Sequence, residues 1–228
     1  MGLTTLLALG FLLGMRHATD ADHVVAVSAI VSRERTLRAA APVGIAWGIG
    51  HGATILLVGG AIIMFGFVVT PRVGLGMELA VGLMLMVVGA VSIQSLGTPP
   101  RHGQPVTHLH GWFRRSGGYR LLRPLVVGVV HGVAGSAAVA LAVLGSVREP
   151  AVAMAYLGLV GAGTIAGMLV VTLAFSAPLV FGSRRFGGVQ RSVTIAAGLL
   201  SLALGIYLVY EVVQVHGLFT QDPRWTPR

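Results

Sequence analysis

The chain contains no cysteine. That excludes a disulfide framework, thiolate metal sites, iron–sulfur clusters and a cysteine nucleophile. It contains no lysine either, so all sixteen basic residues are arginine. Charge of any kind is scarce, at 10% of 228 residues, where a soluble domain carries about 25%. With 55% hydrophobic residues and a mean hydropathy of +0.85, the chain cannot cover itself with a polar surface. The same hydrophobicity excludes intrinsic disorder. No stretch alternates in polarity as a membrane β-strand does, and no Walker motif is present, so this chain hydrolyses no ATP. What is left is an all-α polytopic membrane protein. The net charge of +9 resembles a nucleic-acid signal until the arginines are placed. They lie between apolar runs rather than on a stripe, which reads as membrane topology and implies no nucleic-acid partner.

Six apolar runs are present, at approximately 3–31, 39–69, 75–96, 124–147, 151–182 and 192–215. One crossing needs about 20 residues, so the near-thirty-residue runs one, two and five are predicted to tilt, protrude or break. The first run lacks a basic leading region. Arg16, Asp20 and Asp22 interrupt it where a cleavage site would be expected, so it is read as a span and not a cleaved signal. Arg33, Arg35, Arg38, Arg101, Arg114, Arg115, Arg120, Arg123, Arg184, Arg185 and Arg191 fall on one side, against Arg72, Arg148, Arg224 and Arg228 on the other. That asymmetry places the first set in the cytoplasm of a bacterial inner membrane and both termini outside.

The connection 97–123 begins Thr98-Pro99-Pro100 and contains Gly103, Pro105, Gly117 and Gly118, with His102, His108 and His110. It reads as a flexible linker between two halves, or as a weak metal-collecting segment. The halves echo each other. Gly14-Met15-Arg16-His17 matches Gly128-Val129-Val130-His131, and Gly48-Ile49-Gly50-His51 matches Gly161-Ala162-Gly163-Thr164. Gly82 and Gly89 match Gly198 and Gly205. The predicted organisation is therefore a three-span repeat over 1–97, a cytoplasmic loop over 98–123, and a second three-span repeat with a short outer tail over 124–228. With three spans each, the halves enter the membrane from opposite faces, an inverted repeat of the kind found in secondary transporters. Chance matching in a glycine-rich chain is the plainer alternative. The glycines around His51 predict a locally unwound or closely packed helix.

The first run carries Arg16, His17, Asp20, Asp22 and His23 within eight residues. A charged side chain at membrane depth costs about 2.5–3.5 kcal/mol on insertion scales, so such a cluster must be paired, hydrated or liganded. A structural ion-pair network would satisfy it. Two imidazoles beside two carboxylates also have the makings of a transition-metal site. At about 100° per residue, His17, Asp20 and His23 share one helical face and Asp22 does not. Either the helix breaks, or Asp22 orients a histidine from behind.

The segment Arg16-His-Ala-Thr-Asp-Ala-Asp-His23, with its His17-x4-Asp22-His23 core, resembles the signature of the nickel/cobalt transporter family. Gly50-His51-Gly52 resembles that family's second motif. Gly128-x2-His131-Gly132 and Gly163-Thr164 resemble its short six-span members, often associated with nickel supply to urease or hydrogenase. The resemblance implies transport of Ni²⁺ or Co²⁺ as substrate, with no permanently bound cofactor and with His17, Asp22, His23 and His51 as functional residues. Further acidic motifs of the larger, eight-span members are not found here.

The candidate metal residues are thus His17, Asp20, Asp22, His23 and His51, none of them catalytic. His131 and Thr164 stand where the repeat places counterparts of His17 and His51. A proton or hydrogen-bond relay is as fitting as ligation for His131, and a backbone hydrogen bond is the simpler role for Thr164. Arg16 is expected to hold Asp20 or Asp22 when no ion is bound. Glu78 and Glu211 read as interfacial carboxylates or as an outer vestibule attracting cations. Trp47, Tyr207 and Tyr210 read as membrane-interface anchors, and the eight methionines as packing. The partners implied are a transition-metal ion and the bilayer, with a second copy or an intracellular metallochaperone as further candidates. An intramembrane metalloenzyme would also use histidine and aspartate, but no His-Glu-x-x-His is present. A proton- or anion-translocating exporter is the other alternative.

Overall fold

The computed structural model describes residues 3–32, 34, 36–96, 117–146, 149–183 and 188–225. Among them every regular element is helical. The first apolar run does not form one helix. It forms α1 (Leu3–His17) and α2 (Ala21–Val31), with a break between them. The second run forms α3 (Leu37–Thr54), a π-helical turn (Ile55–Gly59) and α4 (Gly60–Phe65). Then follow α5 (Pro71–Gln94), α6 (Gly117–Ser146), α7 (Pro150–Ser183) and α8 (Val189–Tyr210), which runs into a second π-helical turn, Glu211–Val215.

Among the described residues, four stretches are long and apolar enough to cross a membrane: Leu37–Phe65, Pro71–Gln94, Pro150–Gly182 and Gln190–Val215. Ala21–Val31 and Leu121–Gly135 are shorter apolar helical stretches. The outward faces carry Leu57, Phe65, Leu83, Val87, Phe181, Leu199 and Leu200, all exposed, as expected where lipid rather than water is the solvent. The protein is a helical membrane protein.

Small residues set how the helices meet. A Cβ on Gly14 of α1 would run into the Val160 carbonyl of α7, and one on Gly163 of α7 into the Phe11 carbonyl of α1. A Cβ on Gly50 of α3 would meet the Leu125 carbonyl of α6, and one on Gly128 of α6 the Trp47 carbonyl of α3. Gly82 and Gly89 of α5 lie against Gly205 and Gly198 of α8 in the same manner. These backbones approach so closely that only glycine fits. The glycines around His51 therefore serve packing, and α3 runs helical through them to Thr54. Hydroxyls add interhelical bonds: Ser92 Oγ donates to the Ala29 carbonyl at 3.2 Å and Ser201 Oγ to the Leu85 carbonyl at 2.8 Å.

Helix α6 opens at Gly117, inside the segment expected as connection, so that glycine pair begins a helix. The rest of the connection, with Thr98, Pro99, Pro100, Gly103, Pro105, His102, His108 and His110, lies outside the described residues, as do Arg33, Arg35, Arg101, Arg114, Arg115, Arg148, Arg184, Arg185 and Arg228. At the other end of the chain, the segment after α8 folds back on the bundle. Gly217 takes a left-handed φ of 65°, which lets the chain turn. Arg72 then donates to the Thr220 carbonyl at 3.3 Å, and the Trp225 indole lies over Gly74 and donates to Glu78 Oε1 at 3.0 Å.

Candidate metal centre

The break between α1 and α2 builds the site. Thr19 N and Asp20 N bond back three residues, to Arg16 O and His17 O, at 2.8 and 3.1 Å. Thr19 Oγ1 also donates to Arg16 O, at 2.6 Å. These tight bonds end α1. Asp20 is extended, with φ −61° and ψ 148°, and stands at the cap of α2. Its carboxylate does not cap the helix; it accepts from His17 Nδ1 at 2.8 Å. The carbonyl end of α1, partly negative, and the amide end of α2, partly positive, both come to this point. Asp22, in the first turn of α2, carries the negative charge that the amide end favours.

The imidazoles come from three places in the fold. His17 and His23 come from the broken segment, His51 from α3 and His131 from α6. His17 Nε2 and His51 Nε2 are 3.0 Å apart. With Nδ1–H of His17 directed to Asp20, its Nε2 accepts and His51 Nε2–H donates. Asp22 Oδ1 accepts from both the backbone N and Nδ1 of His23, each at 2.9 Å. Asp22 Oδ2 accepts from His131 Nε2 at 2.7 Å. The ring centres of His23 and His131 are 4.1 Å apart, and those of His23 and His51 4.9 Å. His23, His51 and His131 are buried. Yet His23 Nε2, His51 Nδ1 and His131 Nδ1 have no hydrogen-bond partner among the described residues. Buried nitrogens without partners are costly, and here they belong to one cluster of rings.

A cavity of about 330 Å³ reaches this cluster. His17, Asp20, Asp22, His23, Glu78 and His131 line it, with Val81, Leu204, Tyr207 and Leu208 as the less polar wall. Among the described residues no arginine lines it, so the carboxylates give it a cation-attracting surface. Among the described residues, two groups have ligand atoms within 4.8 Å of one another and could hold a metal ion: His17 with His23 and His51, and Asp22 with His23 and His131.

The structure thus brings His17, Asp20, Asp22, His23, His51 and His131 together. Both readings of Asp22 apply, since the helix breaks and Asp22 also bonds two histidines. Arg16 is not part of the cluster. It is exposed, and Asp20 and Asp22, the carboxylates expected to pair with it, are bonded by histidines, because the break turns them onto the rings. Thr164 is buried and donates to the Val160 carbonyl at 2.9 Å, outside both groups. Glu78 lines the cavity, whereas Glu211 does not and lies 3.5 Å from His216 Nε2. Trp47 is the clearest correction. It is no interface anchor: it is wholly buried, stacked 6.3 Å from His23 at 18° and 6.0 Å from His131. Its neighbours in sequence are apolar at a membrane run's edge, and only the α3–α6 crossing shows that it walls the histidines. Tyr207 and Tyr210 are exposed. Two pairings leave no signal in local spacing: His131 bonds Asp22 directly, and Trp225 of the tail holds Glu78.

No family model and no solved structure matches the chain. It is 33% identical over 219 residues to the urease accessory protein UreH of Bacillus sp. (strain TB-90), an alignment spanning 95% of this chain and 96% of that protein. With nearly the whole of both chains aligned at this identity, the chain belongs to the family of the urease accessory protein UreH.

Proposed function

We propose that the protein is a secondary transporter that moves a divalent transition-metal ion, nickel or cobalt, across the bacterial cytoplasmic membrane. The observation that carries this reading is the convergence of four imidazoles and Asp22 on a helix break at the head of a cavity lined by carboxylates. Imidazole with carboxylate suits nickel, cobalt and zinc rather than magnesium or calcium. A broken helix exposes carbonyl and amide ends inside a membrane protein, as substrate sites of transporters do. The relative's name ties it to urease as an accessory, in keeping with the resemblance to urease-associated nickel permeases. Energy comes from the membrane potential, a proton gradient or a partner, since the chain itself carries no Walker motif.

The reading includes six spans, both termini outside and two inverted three-span halves. The glycine contacts support the repeat. Gly14 meets Val160 and Thr164, while Gly128, 114 positions on, meets Trp47 and His51, each 113 positions back. Gly50 meets Leu125 and Gly163 meets Phe11, which is the same exchange; so is Gly82 on Gly205 and Gly89 on Gly198. Chance glycine matching gives no reason for such reciprocal partners.

Uptake of radioactive nickel and cobalt by cells with and without the protein tests the proposal. His17→Ala, Asp22→Ala and His23→Ala are expected to abolish uptake while the protein still inserts. Near-normal accumulation in all three variants would overturn the site, and equal accumulation with and without the wild-type protein would overturn transport itself.

A further inference from the structure

We propose that the site holds one ion at two alternative stations that share His23: an outer one made by Asp22, His23 and His131, and an inner one made by His17, His23 and His51. This rests on the transport reading above and deepens it by giving the ion a path within the site.

The hydrogen bonds divide the cluster into two couples. His17 and His51 face each other through their Nε2 atoms at 3.0 Å, and Asp22 and His131 are joined at 2.7 Å. Neither couple is bonded to the other among the described residues. His23 belongs to both metal-competent groups. Its Nδ1 is held 2.9 Å from Asp22 Oδ1, and its buried Nε2 has no partner among the described residues. A neutral imidazole held in this way has one nitrogen lone pair left. Serving both stations at once would need an imidazolate, so the ion occupies one station or the other.

The cavity sets their order. Asp22, His23 and His131 all line it, so every ligand of their station faces the cavity; of the other station His17 and His23 do. His51 does not, and it is fully buried. An ion arriving through the cavity therefore finds the carboxylate station complete, whereas the other station is complete only at His51, which lies behind His17 and His23. Within each group the ligand atoms lie within 4.8 Å of one another, near the separation of up to about 4.2 Å that two ligands take on one ion with metal–nitrogen bonds of about 2.1 Å. His23 is common to both stations, so an ion passing between them keeps His23 and exchanges its other two ligands. Of all these ligands His131 alone comes from the second half of the chain, on α6; the others lie on α1, α2 and α3.

Calorimetric titration of the purified full-length protein in detergent with nickel chloride gives the test, read beside nickel uptake in cells. The wild-type protein is expected to bind one ion per chain. His131→Gln keeps an amide donor for Asp22 but removes the imidazole, and His51→Gln removes the other station's buried ring. Each is expected to bind one ion with affinity lowered by about 10- to 100-fold, and each to lose uptake. His23→Gln, which damages both stations, loses measurable binding. Two ions per wild-type chain would overturn the sharing of His23, a result independent of any variant's folding. Uptake by His131→Gln at the wild-type rate would remove the outer station, and complete loss of binding in His51→Gln would leave a single site. In those three cases transport itself stands; absent wild-type uptake instead removes the underlying reading.

Discussion

Asp22→Asn is the most informative single change, because it keeps shape and alters one oxygen. The Asp22 carboxylate accepts three hydrogen bonds, from the backbone and ring of His23 at 2.9 Å each and from His131 Nε2 at 2.7 Å. The asparagine oxygen can still accept both bonds from His23. Its amide nitrogen then faces His131 Nε2, donor against donor. His131 can answer by moving its proton to Nδ1, but that atom is buried and has no partner among the described residues. The change thus converts a bond to a charged acceptor, worth about 1.5–3 kcal/mol, into a weaker one with a buried N–H left unpaired at similar cost. Loss of about 1.5–3 kcal/mol in positioning corresponds to roughly 10- to 100-fold in nickel affinity, the range found when a carboxylate behind a metal-binding histidine is removed. Calorimetry on detergent-purified protein measures it, with elution volume and helical circular dichroism as controls for folding. Asp22→Ala, which leaves two histidine donors without an acceptor, is expected to weaken binding further. Nickel affinity within about twofold of wild type in a folded Asp22→Asn protein would refute the reasoning.

Nickel affinity is expected to fall on acidification, because protons compete with the metal for imidazole lone pairs; a flat calorimetric profile over roughly pH 5–8 would exclude histidine ligation and favour an oxygen site on Asp20 and Asp22. Gly14→Val and Gly128→Val place a side chain against the Val160 and Trp47 carbonyls, so each should lower the thermal midpoint in detergent by the equivalent of about 1–3 kcal/mol or more. Gly76→Ala, where an added Cβ meets nothing within 4 Å, should not; equal midpoints for all three would contradict the close helix crossings. Trp225→Leu removes the indole bond to Glu78 at 3.0 Å, and faster trypsin cleavage at Arg224 than in wild type is the expected consequence. Unchanged cleavage would show that Trp225 does not fasten the tail.

Much of this protein is legible in its sequence, and the reasons are local. Lipid leaves a helix as the only way for an apolar run to satisfy its backbone, so run lengths and polarity alone predict an all-helical membrane protein. The near-thirty-residue length of the first run, with its polar cluster, predicts an irregular span, and α1 and α2 show it as a break. Buried polar groups in such a span are expensive, which marks His17, Asp20, Asp22 and His23 from the chain alone. Other features depend on which helices cross, and no local pattern records that. Trp47 looks like an interface anchor from its neighbours alone; the glycine contact between α3 and α6 carries it to the histidines. His131 stands 109 positions from Asp22 and is joined to it at 2.7 Å only because α6 packs beside the break. Arg16 is adjacent to His17 in sequence yet stays exposed, outside the cluster, since a short extended step at Asp20 redirects everything after it. Composition and run length thus settle the surrounding solvent, the helices and the residues that must find partners. Helix packing chooses those partners, because hydrogen bonds and ligand sets are satisfied over a few ångströms in space, whatever the separation along the chain.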